Sequence, residues 1–210
     1  MKYKKQIILI FIFLFFWSLY LVTNKINENR QANKLETRLD SIIKFNPVFS
    51  VFYTLYFFEV LIIFFIFLKK EKTLRNIVLM LVISTIIHNI IFLIYPVVID
   101  RPNIINQNFF NKLTLFYYNI DKPYNSFPSM HISLITITFL SLYFYWNKRY
   151  SLILLPLYLL TAISTVYIKQ HYVIDVIAGI LLGVLIFQIF KIKNKLSSSG
   201  FFLFLLNFLL

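Results

Sequence analysis

Six apolar stretches alternate with short polar blocks along the chain, at approximately 6–23, 48–68, 77–95, 132–147, 150–168 and 172–191. A helix crosses the hydrocarbon core of a bilayer in about 20 residues, so each stretch predicts a transmembrane helix. The fourth is short and the fifth carries Pro156, which leaves their ends the least sharply marked. The opening "MKYKKQIILIFIFLFFWSLYLV" has the basic start and apolar run of a signal peptide. The run is too long for one, and no small-residue cleavage site follows it, so it reads as a retained anchor. The pattern predicts an all-α fold, a polytopic membrane bundle of about six helices.

Composition agrees with the pattern. Of 210 residues 60% are hydrophobic and only 14% charged, too few polar groups to cover a soluble domain of this size. There is no Cys, which excludes disulfides and thiolate metal sites. With three His and scattered carboxylates, no protein-built metal site and no cofactor are expected. The net charge of +13 sits in blocks between apolar spans. That is the usual basic flank of membrane helices and indicates anionic lipid head groups, not nucleic acid, as the partner.

Charge also orients the bundle. With the N-terminus inside, 12 of the 21 Lys and Arg residues fall in short cytoplasmic segments: Lys2, Lys4 and Lys5, then "KKEKTLR" at 69–75, Lys148 and Arg149, and Lys191, Lys193 and Lys195. The rest are spread over longer outer loops, so positive-inside counting favours a cytoplasmic N-terminus in the cell membrane. No internal repeat is present, which speaks against an inverted-repeat transporter.

In this topology three polar clusters emerge on the outer, extracytoplasmic face. They are "YPVVIDRP" (95–102), "NSFPSMHIS" (125–133) and "KQHYVIDVIAG" (169–179). In the third, His171 and Asp175 are four apart and share one helical face. A carboxylate beside an imidazole fixes its tautomer and raises the basicity of the far nitrogen. The same stripe continues through Gly179 and Gly183, which allow close approach of a neighbouring helix, so this face should point into the bundle. In the second cluster Ser129 is a candidate N-cap. Its hydroxyl and the N–H groups of Met130 and His131 would make an anion site at a helix N-terminus, with His131 placed to donate a proton. The first offers Arg101, stiffened by Pro102, for bidentate phosphate binding. Each cluster also has a plain structural reading: a polar cap with a packing stripe, an ordinary cap with an interfacial histidine, and a solvated arginine paired with Asp100. Together they supply the parts of metal-free phosphoryl transfer.

At these residues the sequence resembles the type 2 phosphatidic acid phosphatase superfamily, over roughly 95–185. The motifs R-P, P-S-x-H and H-x3-D read here as Arg101-Pro102, Pro128-Ser129-Met130-His131 and His171-x3-Asp175. The resemblance implies that His171 is the nucleophile and forms a phosphohistidine, that Asp175 orients it, and that His131 protonates the leaving group. Arg101, Ser129 and the Met130 amide would hold the phosphoryl oxygens. Three positions depart from the family pattern. Ile94 stands where the family has a lysine, Met130 where it has a glycine, and Thr165 where it has an arginine. Met130 therefore requires a backbone that avoids positive φ, and Lys169 is the candidate replacement for the absent cations. The wording "FPSMH" and "KQHYVIDVIAG" is closer to the inositol phosphotransferase branch than to the lipid phosphatases.

The expected function is hydrolysis of a lipid phosphate, such as phosphatidic acid or an isoprenoid (pyro)phosphate. The alternatives are head-group transfer to an alcohol acceptor, or an inactive lipid-binding membrane protein. Residues 77–195 would form the catalytic core, behind anchor helices in 1–76 without family signature and before a hydrophobic tail, 196–210, of no assigned role. Two further readings concern polar residues elsewhere. Glu59 and His88 lie at similar depth in spans two and three, which predicts a buried contact between them. Phe109, Leu113 and Phe116, with Tyr117 and Tyr118, fit either an interfacial helix that guides a lipid tail or a packed loop.

Overall fold

The computed structural model describes residues 3–105 and 108–196, so the tail beyond Leu196 lies outside the described residues. Among the described residues the chain is a helical bundle without strands. Helix α1 spans Lys4–Asn27, the short α2 Arg38–Ile42, α3 Ser50–Phe67, α4 Glu71–Ile94, α5 Phe109–Ile120, α6 Met130–Tyr145, α7 Lys148–Tyr167 and α8 Val173–Leu196; a 3-10 turn, Pro47–Phe49, leads into α3. Five of these helices are long and apolar enough to cross a membrane, and α6 is a shorter apolar helix.

Helix α6 explains how a span of 16 residues can serve in this bundle. At ~1.5 Å per residue it falls short of a ~30 Å hydrocarbon core. Yet every residue from Met130 to Thr138 is buried, because α6 packs against α3, α4, α7 and α8. It meets protein and not lipid over this half. Its hydroxyls find partners there: Ser133 hydrogen-bonds Ser84 of α4 at 2.9 Å and Thr136 bonds Tyr158 of α7 at 3.0 Å. Such contacts join helices where no hydrophobic drive separates protein from lipid. The outer surfaces of α1, α3 and α8 carry exposed Phe11, Phe15, Phe58, Phe65, Leu181 and Leu185, as lipid-facing surfaces should.

The stripe expected to face inward on α8 does so. A Cβ added to Gly179 would lie 2.5 Å from the Ser129 carbonyl oxygen, and one on Gly183 would lie 2.8 Å from the Ser133 carbonyl. Two glycines thus let α8 rest directly on the backbone of α6.

The ends of α1, α4, α5, α6 and α8 and the preceding loops form one polar layer. Asn27 donates to the Phe92 carbonyl at 2.9 Å and to Asn125 Oδ1 at 2.8 Å. Asn125 donates to Thr23 Oγ1 at 2.9 Å, and Asn24 to the Lys122 carbonyl at 2.9 Å. The segment after α1 is tied down as well. Asp40 accepts the Val173 N–H at the start of α8 at 2.8 Å, and the Asn46 N–H reaches the Tyr167 carbonyl at 3.0 Å. Residues 109–120 are a helix, not a loop. Tyr117 and Tyr118 point inward while Phe109 and Phe116 stay exposed.

The expected Glu59–His88 contact is not formed. Glu59 accepts from Thr161 of α7 at 2.9 Å, and His88 Nδ1 lies 2.7 Å from the Ser84 carbonyl of its own helix. Equal depth does not fix the direction in which a side chain leaves its helix. Here Glu59 faces α7, and His88 stays against its own turn.

Gly179→Ala should drive a methyl group into the Ser129 carbonyl. We expect a loss of about 1–3 kcal/mol in stability, read as a lower unfolding midpoint in detergent, with turnover falling further because α8 carries His171 away from α6.

Candidate active site

The chain turns sharply between α7 and α8. Lys169 takes a left-handed conformation, φ 52°, the one non-glycine residue with positive φ among those described. The Thr165 carbonyl accepts the N–H groups of both Gln170 (2.9 Å) and His171 (3.1 Å), closing the end of α7. Gln170 and His171 are thereby turned inward before α8 begins, and both are 3% exposed. Asp175 follows in the first turn of α8, where a carboxylate suits the helix dipole. Its Oδ2 accepts the Tyr172 N–H at 2.8 Å and the Ser126 hydroxyl.

Hydrogen-bond partners decide the proton positions on His171 and His131. His171 Nδ1 is 2.9 Å from the Ser126 carbonyl, which can only accept, so Nδ1 carries the hydrogen and Nε2 keeps its lone pair. That Nε2 lies 3.1 Å from His131 Nδ1, which must therefore donate. His131 Nε2 is then the acceptor, 2.8 Å from the Tyr53 hydroxyl. One directed chain results: Tyr53 to His131, His131 to His171, His171 to Ser126. Asp175 sits behind it, with Oδ2 3.7 Å from His171 Nδ1. It acts on the imidazole through its charge and through Ser126, not by a direct hydrogen bond.

Arg101 is held from several sides. Its guanidinium donates to the carbonyls of Asp121 (2.7 Å) and Tyr118 (3.3 Å) and to Gln170 Oε1, and lies 4.2 Å from the Tyr118 ring centre. It is not paired with Asp100, which instead binds Lys34 at 2.6 Å. Arg101, Gln170, Ser126, Asp121 and His171 line a common pocket. Burial pushes the Asp121 carboxyl up from its ordinary value, while Arg101 and the Tyr20 hydroxyl pull the other way.

The remaining expected site residues divide. Ser129 caps α6, accepting the Ile132 N–H at 3.4 Å, and its own N–H is taken by the Asp175 carbonyl at 3.0 Å. Met130 meets the requirement for a negative φ and opens α6, where first-turn N–H groups lack helical partners. Lys169 is not brought to Arg101. Its ammonium donates to the carbonyls of Ile43 (2.6 Å) and Asp40 (2.9 Å). It borders His171 in a separate cavity of ≈ 80 Å³, with Glu36, Asp40, Asp100 and Tyr172. Among the described residues no three His, Asp or Glu side chains are grouped as a metal-binding set.

The three motifs meet at one end of the bundle, Arg101 and His171 lining one pocket and His131 hydrogen-bonded to His171 behind it, and comparison with known families agrees. A family model described as the PAP2 superfamily matches residues 73–196, more than half of the chain. The chain belongs to this superfamily. No curated protein and no solved structure matches it. PAP2 membership supports a phosphatase-type function on lipid phosphates. Five residues around the PAP2 motifs were not anticipated: Ser126, Gln170, Asp121, Tyr20 and Tyr53. Ser126 and Gln170 lie inside the polar clusters but have no distinguishing spacing. Tyr20 and Tyr53 come from helices before the matched region, one aromatic residue among many.

Ser126→Ala keeps the carbonyl that fixes the His171 tautomer and removes only one donor to Asp175. Asp175→Asn removes the charge. Turnover should fall about tenfold in the first and about 10²-fold in the second, as measured by initial rates on a lipid phosphate in mixed micelles.

Proposed function

We propose that the chain is a metal-independent membrane enzyme that removes the phosphoryl group of a lipid phosphate at the outer face of the cell membrane. The observation that carries this reading is the tautomer of His171: the Ser126 carbonyl, 2.9 Å from Nδ1, places the hydrogen there and the lone pair on Nε2, which lies 3.1 Å from His131 Nδ1. The phosphoryl unit would enter between these two nitrogens and displace their hydrogen bond. His131, made an imidazolium by taking the proton of the incoming phosphate monoanion on Nε2, gives its Nδ1 proton to the departing oxygen as His171 Nε2 attacks phosphorus and the P–O bond to the lipid alcohol breaks. Water then attacks the phosphohistidine, its proton passing to His131, and phosphate leaves.

Arg101, anchored by three hydrogen-bond acceptors, faces the charge that develops on the equatorial oxygens. The first-turn N–H groups of α6, those of Met130 and His131, add the positive end of a helix dipole. Ser129 supports this turn as its cap. Asp175 holds the imidazole in place through Ser126. Lys169, engaged with the α2 segment, contributes to the His171 surroundings through charge alone.

Transfer to an alcohol is the second reading. The cavity of ≈ 80 Å³ beside His171, with Glu36, Asp40 and Asp100 in its wall, offers carboxylates to hold the hydroxyl groups of a small acceptor.

Phosphate release from a panel of radiolabelled lipid phosphates tests the reading. At least one should be hydrolysed, with a loss of about 10³-fold or more in His171→Ala. Glycerol or inositol diverts label into a new ester only if transfer operates. Absence of both products across the panel would overturn the enzyme reading in favour of lipid binding alone.

A further inference from the structure

We propose that Asp121 and Tyr53 are positioning residues for His131, forming with it a second histidine–acid array that serves the leaving group as Asp175 and Ser126 serve the nucleophile. The inference rests on the reading of His171 as nucleophile and goes beyond it by assigning what controls the acid. Neither residue belongs to the three motifs, and Tyr53 lies outside the region matched by the family model.

The geometry of the two histidines is nearly symmetric. Each turns one ring nitrogen toward the other, 3.1 Å apart. Each turns its far nitrogen toward a hydrogen-bonding oxygen with a carboxylate behind it. For His171 these are the Ser126 carbonyl at 2.9 Å and Asp175 at 3.7 Å. For His131 they are the Tyr53 hydroxyl at 2.8 Å and Asp121 Oδ2 at 3.8 Å. The difference lies in the oxygen. A carbonyl can only accept, so it commits His171 to one tautomer. A tyrosine hydroxyl donates to a neutral imidazole and accepts from an imidazolium, so His131 can change charge without losing its partner.

Asp121 is itself fixed. Its Oδ1 accepts the Tyr20 hydroxyl, and its backbone carbonyl takes the Arg101 guanidinium at 2.7 Å. The acid and the phosphoryl-binding arginine thus share one support. The rings of Tyr56, Tyr53 and Tyr20 stand 4.7, 5.4 and 6.4 Å from the His131 ring centre, and His131 is buried among them.

The proton balance follows. The resting His131 is neutral with its hydrogen on Nδ1; in the acid form, reached when Nε2 takes the proton of the incoming phosphate monoanion, it carries hydrogens on both nitrogens, with Nε2–H directed at Tyr53 and the Asp121 charge. When the P–O bond breaks, the Nδ1 proton goes to the lipid alkoxide, and neutral His131 retains the Nε2 hydrogen. In the second half the Nδ1 lone pair takes a proton from the attacking water, restoring the acid. Asp121 stabilises the cation that begins and ends this cycle. An alkoxide of a lipid alcohol is a poor leaving group and needs that proton. A nitrophenolate does not.

The test is leaving-group dependence. Asp121→Asn and Tyr53→Phe, both close in shape to the residues they replace, are assayed on a long-chain alkyl phosphate and on nitrophenyl phosphate. We expect kcat/KM on the alkyl ester to fall about 10²-fold, and that on the nitrophenyl ester by less than about threefold, which also shows that each variant is folded. Equal losses on the two esters in both variants, or no loss on either, would overturn the proposal. If the wild-type protein cleaves neither ester, it is the phosphatase reading that fails.

Discussion

The contact on which the site depends is the seat of α8 on α6 across Gly179 and Gly183. Side chains on both helices normally keep backbones 8–10 Å apart. Here the absence of a Cβ lets the Ser129 and Ser133 carbonyls press against α8. His131 begins one of these helices and His171 immediately precedes the other, so this spacing decides whether their nitrogens meet. The Ser129 N–H, bonded to the Asp175 carbonyl at 3.0 Å, pins the same two segments one turn away from the glycines. A packing feature between two apolar helices therefore sets the distance between the two histidines at their ends.

Burying so many polar groups at one end of an apolar bundle requires that nearly all of them be satisfied. The structure meets most of this with a connected layer, while Arg101 Nε, Gln170 Nε2 and Asp175 Oδ1 stay buried without a hydrogen-bond partner. Asn27, Asn125, Thr23 and Asn89 form one run of hydrogen bonds, and Arg101, Gln170, Asp121 and Tyr20 form another. The second run holds Arg101 by neutral acceptors, two backbone carbonyls and the Gln170 amide oxygen. Lys169, the expected replacement for the cations that the family places at Ile94 and Thr165, donates to the carbonyls of Asp40 and Ile43.

Much of this was legible in the sequence. The apolar runs are long enough to announce the helices, and the polar residues that interrupt them mark one end of the bundle. The spacing of His171, Asp175, Gly179 and Gly183 specifies a single inward face, because a helix repeats every 3.6 residues. Contacts between segments were harder to read. Tyr20 and Tyr53 sit among 14 tyrosines, and nothing local distinguishes those that reach a histidine. Glu59 and His88 show the same limit in reverse, since matched depth suggested a pair that helix rotation prevents. Asp175 was expected to lie beside His171 and does, its Oδ2 3.7 Å from Nδ1. The hydrogen bond to that nitrogen is made by the Ser126 carbonyl, and a carbonyl has no signature in a sequence.

The central claim is that phosphorus is carried on one particular nitrogen, His171 Nε2, because Nδ1 is held protonated by the Ser126 carbonyl. Protein labelled with ¹⁵N at histidine, quenched and denatured in alkali during turnover of a lipid phosphate so that the acid-labile N–P bond survives, reports this through nitrogen–phosphorus coupling. Coupling at Nε2 of His171, absent from His171→Ala, is the expected result. Coupling at Nδ1, or a phosphoenzyme that survives the loss of His171, would contradict it.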